Sequence, residues 1–474
     1  MLILLFALPA LADEDLSMWQ KRMPITFSGY PEDGETLMNF PALVILKATA
    51  AGAGFDYSDF MSPPNGDLRF AASDKITPLD FEIDTWDSAG ESLIWVRVPE
   101  LKNNAVIYAV WGQEGQSLPA CTTNGAVWAD GVGAEWHLGD DPSGAAPQML
   151  DSTANRNHGT VRGIMTLANR VPGMVGDCLS FNGSTHYLEV PDHDTVDPVH
   201  AWTLMAWIRR DAVNAQHGIC EKYDWAAGMG TFGVRVTSGN LLVGFTEKGF
   251  GGDSATGKTT LNAGTWYHVA ASFDTDVNQM KVYVNGVCEQ TNSSALYDIP
   301  PSLTTLKIGG RGDDGTMKFS GLMDEVRLCL VAHPDAWIRA SFLNTASNSV
   351  FNTYGDPEYQ GGPRVTNVNA VSETNYLTLN GFLVSTGMDA NISAAVYWGG
   401  VDAGRKAEGW DYTNRLPGIV SEGPISINVS PDRVGVPYYF RFFVSNSFGV
   451  GWASPAEIGI WWADIHSGTV FATW

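Results

Sequence analysis

The stretch GGDSATGKTTLNAGTWYHVAASFD (251–274) admits two readings, and the choice between them decides the fold. From Gly252 to Thr259 it spells G-x-x-x-x-G-K-T, the phosphate-cradling loop of nucleotide-binding proteins. Such a loop works only when a helix follows it, because the helix N-terminus aims backbone N–H groups at the phosphate. Here Thr259 runs into Asn262-Ala263-Gly264, a turn, and then into TWYHVAASFD (265–274), which alternates as a strand does. With 51 glycines, the chain generates such loop matches by chance. The stretch is therefore read as two β-strands joined by a Gly-rich loop, and no nucleotide is expected.

The same habit extends in both directions. MKVYVNGVCEQ (280–290) carries Asn285-Gly286 between two apolar runs, a two-residue hairpin signal, since both residues tolerate positive φ. WTLMAWIRR (202–210), TFGVRVTS (231–238), NLLVGFTE (240–247) and TLKIGG (305–310) read as further strands. Only HPDAWIRASF (333–342) looks helical. Upstream, LDFEIDTW (79–86) sets Leu79, Phe81 and Ile83 on one face and Asp80, Glu82 and Asp84 on the other, and SLIWVRVP (92–99) alternates in the same way. Downstream, YLTLNGFLVSTG (376–387), SAAVYWGG (393–400), PISINVS (424–430) and YYFRFFVSNSFG (438–449) are again β. The segment NTYGDPEYQGGPRV (352–365) reads as a linker.

Chain length and composition fit this picture. At 474 residues there is room for several cores, and the 17% charged content is that of a folded protein. The formal net charge of −24 argues against nucleic acid, which needs clustered Lys and Arg. MLILLFALPALADEDL (1–16) ends an apolar run at Ala10-Leu11-Ala12, so residues 1–12 read as a signal peptide. No other run approaches a membrane span. Export would permit disulfides, but the five cysteines (Cys121, Cys178, Cys220, Cys288 and Cys329) lack C-x-x-C spacing, and their pairing cannot be deduced. Bridges and buried thiols both remain open.

Between 125 and 350, DSTANRNHGTVRG (151–163), LSFNGSTHYLEVPDH (179–193), WTLMAWIRR, AGTWYHVAASFD, MKVYVNGV and FSGLMDEVRLC (319–329) follow one another in order. This set resembles the concanavalin A-like, laminin-G-type jelly roll. The segment 18–120, with FPALVIL, FDYSDF, DLRF, LDFEIDTWD, IWVRVPEL and IYAVWG, resembles a module of unknown function from secreted bacterial proteins. The segment 364–462, of roughly the 100 residues an immunoglobulin-type sandwich takes, resembles fibronectin-type repeats of bacterial surface proteins. The expected architecture is all-β and multidomain, a central jelly roll flanked by two smaller sandwiches. What the resemblance implies is a secreted or cell-surface bacterial protein. It would bind glycans or other cell-surface ligands without catalysis, with adhesive and glycosidase roles as alternatives. Oligomeric state, ligand identity and anchoring are left open.

Candidate residues follow. Sugars stack on exposed rings beside a few polar groups, and CEKYDWAAGMG (220–230) offers Tyr223 and Trp225 with Lys222 and Asp224. Tyr187 reads more readily as core. Calcium takes hard oxygen ligands. The resemblance points to a structural calcium ion where the opening loop meets the last strand, at Asp151 and Asp324. Glu82-x-Asp84-x-x-Asp87 resembles the paired-carboxylate strand of some glucanases, but it lies in the wrong domain and ends in Asp. Solvent-facing acids explain it more simply. His158, His186, His193, His200 and His217 have no close metal spacing, and Arg311-Gly312-Asp313 is expected to be a turn.

Overall fold

The computed structural model describes Leu16 and residues 19–462, apart from 50–54, 214, 224–230, 249–250, 294–297, 300, 312–315, 360, 388 and 419–420. The expected leader (1–12) and most of the Arg-Gly-Asp turn lie outside the described residues. The architecture is multidomain and all-β. No helix among the described residues is long and apolar enough to cross a membrane.

The jelly roll packs an eight-stranded sheet against a seven-stranded one. Ala201–Arg210 lies between Trp266–Asp274 and Ser320–Cys329 in the larger sheet. Val132–Trp136 pairs with the other edge of Ser320–Cys329. Leu204, Ala206, Ile208, Val269, Ala271, Phe273, Val282, Leu328, Phe232 and Val234 fill the space between the sheets. The predicted hairpin forms, with Asn285 at φ 50° and Gly286 at φ 73° joining Gln279–Val284 to Val287–Ser293.

The loop at 257–260 is occupied by a side chain. Gly251–Thr256 is an edge strand of the seven-stranded sheet, with no helix after it. The backbone N–H groups of Lys258 and Thr259 donate to Glu289 Oε2 at 2.6 and 3.0 Å. The chain's own carboxylate thus takes the donors a phosphate would need.

The first sandwich pairs Lys21–Thr26, Val106–Trp111 and Arg69–Ala71 in one sheet and Leu37–Lys47, Glu91–Leu101 and Phe81–Thr85 in the other. Its core contains Phe27, Phe40, Val44, Phe70, Phe81, Ile94, Val96 and Trp111. The second sheet is buried on both faces. Leu43, Leu93 and Trp95 point away from that core and pack on Val127, Trp128, Val132, Val175 and Cys329 of the jelly roll. Met205, Ala270 and Tyr283, on the outer face of the eight-stranded sheet, join the first sandwich's own core. Both faces of the larger sheet are therefore buried along its central strands.

The connection after the jelly roll differs from the expected linker. The helix Asp335–Ala346, with Asp335 in its favourable first turn, packs Trp337, Ile338 and Ala340 into the first sandwich. Asn344, Asn348 and Asn352, spaced to share a helix face, converge on one edge-strand residue. All three Nδ2 groups donate to the Leu43 carbonyl, at 3.1, 2.8 and 2.8 Å, and Asn344 Oδ1 accepts the Leu43 N–H at 2.6 Å. Thr353–Tyr354 and Glu358–Tyr359 then pair with Lys21–Thr26. Two short pieces of the expected linker are thus strands of the first sandwich. The third domain, a three-stranded and a five-stranded antiparallel sheet, has a separate core around Leu379, Val396, Trp398, Phe440 and Phe442.

All five cysteines are free thiols, the second of the two possibilities the sequence left open. Cys178, Cys220 and Cys329 are buried, and burial raises each thiol well out of its reactive range.

Two buried histidines set a pH limit. Burial, helped by the Arg327 charge, pushes His268 down to about 3, and burial with Arg210 pushes His217 down to about 4. His217 Nδ1 accepts from Arg210 Nε at 3.4 Å, which requires the neutral ring on that side. Unfolded histidines titrate near 6.5, so below that pH the unfolded chain binds more protons. The stabilisation is complete above 6.5 and is lost as pH falls towards 4. Melting curves of wild type and His268→Leu between pH 7.5 and 4.5 should show the shallower pH dependence in the variant. Parallel curves would contradict this.

Candidate functional site

The expected ligand residues fall at one end of the seven-stranded sheet. Lys222, the last residue of His217–Lys222, is fully buried, and its ammonium lies 2.5 Å from Asp192 and 2.6 Å from Asp197. That pairing leaves it no role as an open ligand contact. Tyr223 is 4% exposed. It lies edge-on to Phe245 with centroids 6.2 Å apart, and the Arg235 and Arg311 guanidinium groups sit 5.5 and 4.6 Å from its ring. Arg235 also lies 4.0 Å from the Phe245 ring and forms a bidentate pair with Glu221 at 3.0 and 2.8 Å. Planar cations thus cover Tyr223, which was expected to face solvent. Asp224 and Trp225 lie outside the described residues. On the same sheet Tyr187 is half-buried, not core, with Lys318 Nζ 3.5 Å from its ring centroid.

Asp151 and Asp324 have different tasks. Asp151 Oδ1 accepts from the N–H groups of Glu135 and Thr153, and Oδ2 from Thr153 Oγ1 and the Asn157 N–H, at 2.6–3.0 Å. A carboxylate so saturated organises its turn, and calcium ligation does not follow for it. Asp324 is fully buried, and its Oδ2 accepts from Met174 and Val175 at 2.7 and 2.9 Å. Its Oδ1 has no hydrogen-bond partner among the described residues. Burial, reinforced by the Glu325 charge, pushes Asp324 well above the usual carboxylate range.

Asp324 belongs to a cluster that sequence reasoning did not assemble. Ser320–Cys329 bulges opposite Met205 and Trp207, and Glu325 there takes φ 50°. Beside it, Val132–Trp136 contributes Glu135 and leads into His137. Glu82 and Asp84 arrive from the first sandwich. They are not solvent-facing, which corrects the earlier reading. Glu82 accepts from Trp128 Nε1 and from Ser152 Oγ (2.6 Å).

His137 stands at the centre. Its Nδ1 is 2.8 Å from Glu325 Oε1 and 4.0 Å from Glu135 Oε1, and its Nε2 is 3.7 Å from Glu82 Oε1. Its ring stacks on Trp95 at 5.9 Å and lies tilted to Trp128 at 5.6 Å. Burial alone would lower its pKa, but the carboxylates of Glu325, Glu82 and Asp84 hold it well above the usual value. Arg327 pairs with Glu135 and lies 4.6 Å from the Trp128 ring. Burial lifts Glu135 to about 8 and Asp84 to about 6. Glu82 is held below its usual value, because His137, Ser152 and Trp128 outweigh its burial. The available signal was D-E-x-R inside the otherwise apolar GLMDEVRLC, since buried charges demand partners.

These features define a multidomain all-β protein built around a concanavalin A-like jelly roll. Residues 182–339 match the model of the concanavalin A-like lectin/glucanases superfamily, and residues 64–126 match that of a domain of unknown function (DUF2341). No curated protein matches the chain. Among solved structures, the chain is similar to domain 4 of an extracellular arabinanase from Geobacillus stearothermophilus in complex with arabinotriose. That match has 19% identity, covers 44% of this chain and 97% of that one, and has a TM-score of 0.36. A second is the Ruminococcus gnavus IT-sialidase carbohydrate-binding module bound to α2,3-sialyllactose, at 15% identity, 35% and 96% coverage and a TM-score of 0.31. A third is the receptor-binding domain of the botulinum neurotoxin C/D mosaic serotype, at 11%, 66% and 71%, with a TM-score of 0.37.

Proposed function

We propose that this protein recognises a glycan or another cell-surface ligand, without breaking bonds, through the outer face of the jelly roll's seven-stranded sheet. The observation that carries the reading is which face the fold leaves uncovered. The apolar clusters joining the first sandwich to the jelly roll draw on its eight-stranded sheet, and not on the seven-stranded one. That second sheet presents Tyr187 under Lys318 and half-buried Glu189 paired with exposed Arg162. A ring next to fixed polar groups suits a sugar's mixed surface. Export to the cell surface belongs to the same reading. A glycosidase is less well supported, because Glu82 is engaged by Trp128 and Ser152 at a domain seam.

The full chain on a glycan array should give discrete hits, and Tyr187→Ala should weaken them about tenfold, the equivalent of one lost ring contact. A folded full chain that ignores every sugar would favour the adhesive alternative.

A further inference from the structure

We propose that Glu135, His137 and Glu325 form a binding site for a divalent transition-metal ion of the zinc type, at the seam between the first sandwich and the jelly roll. One ligand atom from each lies within 4.8 Å of the other two. The His137 Nδ1 distances of 2.8 Å to Glu325 and 4.0 Å to Glu135 place all three around a common point.

Two independent observations support an ion. Glu135 Oε1 and Glu325 Oε2 have no hydrogen-bond partner among the described residues, although these side chains are only 0% and 5% exposed. A buried carboxylate oxygen with no donor costs free energy that a cation would offset. The charge count points the same way. Glu82, Asp84, Glu135 and Glu325 gather around His137, Asp324 adjoins Glu325 and Asp84, and Arg327 pairs with Glu135 among them. Two cationic side chains face five carboxyl groups in a space largely closed by Trp95 and Trp128.

The donor set selects the ion. Calcium and magnesium favour all-oxygen shells, whereas an imidazole with carboxylates suits zinc and its neighbours. The outer partners suit a metal as well. Arg327 holds the second oxygen of Glu135, and Trp128 with Ser152 holds Glu82 beside His137 Nε2. Zinc on Nδ1 would displace the proton shared with Glu325 into solvent. The inference concerns the seam, and it stands or falls independently of the sheet face proposed for ligand recognition.

The test uses the full chain stripped with EDTA and titrated calorimetrically with Zn²⁺, with Ca²⁺ and Mg²⁺ as controls. The expected result is one Zn²⁺ per chain with a dissociation constant below about 10 µM, a raised melting temperature and no comparable response to the controls. His137→Gln should weaken Zn²⁺ by at least about tenfold. Failure of the wild type to bind Zn²⁺, an equal response to Ca²⁺, or undiminished binding by folded His137→Gln would overturn the proposal. Should that variant not fold, X-ray absorption of the Zn²⁺-loaded wild type decides. One imidazole in an oxygen shell supports the site, and sulfur ligation from the free thiols overturns it.

Discussion

Arg327→Met is expected to destabilise the metal-free protein by about 3–5 kcal/mol, and the double variant Arg327→Met/Glu135→Met to recover most of that loss. Arg327 is 4% exposed and Glu135 fully buried, so their pairing takes place away from water. Removing the guanidinium leaves the buried Glu135 carboxyl group without its donor, next to Glu325 and Asp324. It also removes a cation from the faces of Trp128 and Trp95. Replacing both partners with apolar side chains removes the unpaired buried group, and such exchanges are often neutral. Urea unfolding in EDTA, followed by tryptophan fluorescence, measures the cycle. A single variant as stable as wild type, or a double variant worse than the single, would show that the pair does not hold the seam.

The second large effect concerns dissection. A fragment spanning 125–350 is expected to be insoluble or loosely packed, whereas 364–462 alone should fold. Cutting out the jelly roll exposes Trp128, Met205, Tyr283, Trp337 and Ile338, all buried against the first sandwich. Each such side chain contributes about 1.5–3 kcal/mol when buried. Together they rival the 5–15 kcal/mol that holds a typical domain folded, and an exposed patch of this kind drives association. The third domain encloses its own core and loses nothing comparable. Near-UV circular dichroism and sedimentation of both fragments decide the matter. A monomeric 125–350 fragment with native-like tryptophan signals would refute the expectation.

Period-two alternation was enough to read the β class, the hairpin at Asn285-Gly286 and the absence of a helix after Thr259, because these depend on local backbone preference. The helix at HPDAWIRASF was legible, but its extension to Ala346 and the contact of Asn344, Asn348 and Asn352 with Leu43 were not, since their partner lies some 300 residues upstream. Glu82 and Asp84 drew attention by their spacing. Alternation set them opposite the apolar face, and sequence could not show that the second face was buried too. His137 escaped because its partners come from three distant segments. Asp151 was singled out as a calcium position implied by the resemblance, but both its oxygens are occupied by donors of the protein itself. For Asn344, Glu82, Asp84 and His137 the sequence carried the residue and not its long-range partner.

The return of Thr353–Tyr354 and Glu358–Tyr359 to Lys21–Thr26 has a consequence for biogenesis. A chain emerging N-terminus first presents the first sandwich's opening strand long before its last partners exist. Bare strand edges recruit unwanted neighbours. The whole jelly roll must be synthesised in the interval, so the module that begins first is completed only after the one nested within it. A nascent chain halted shortly before residue 353 should therefore depend on chaperones, and one released beyond residue 359 should not.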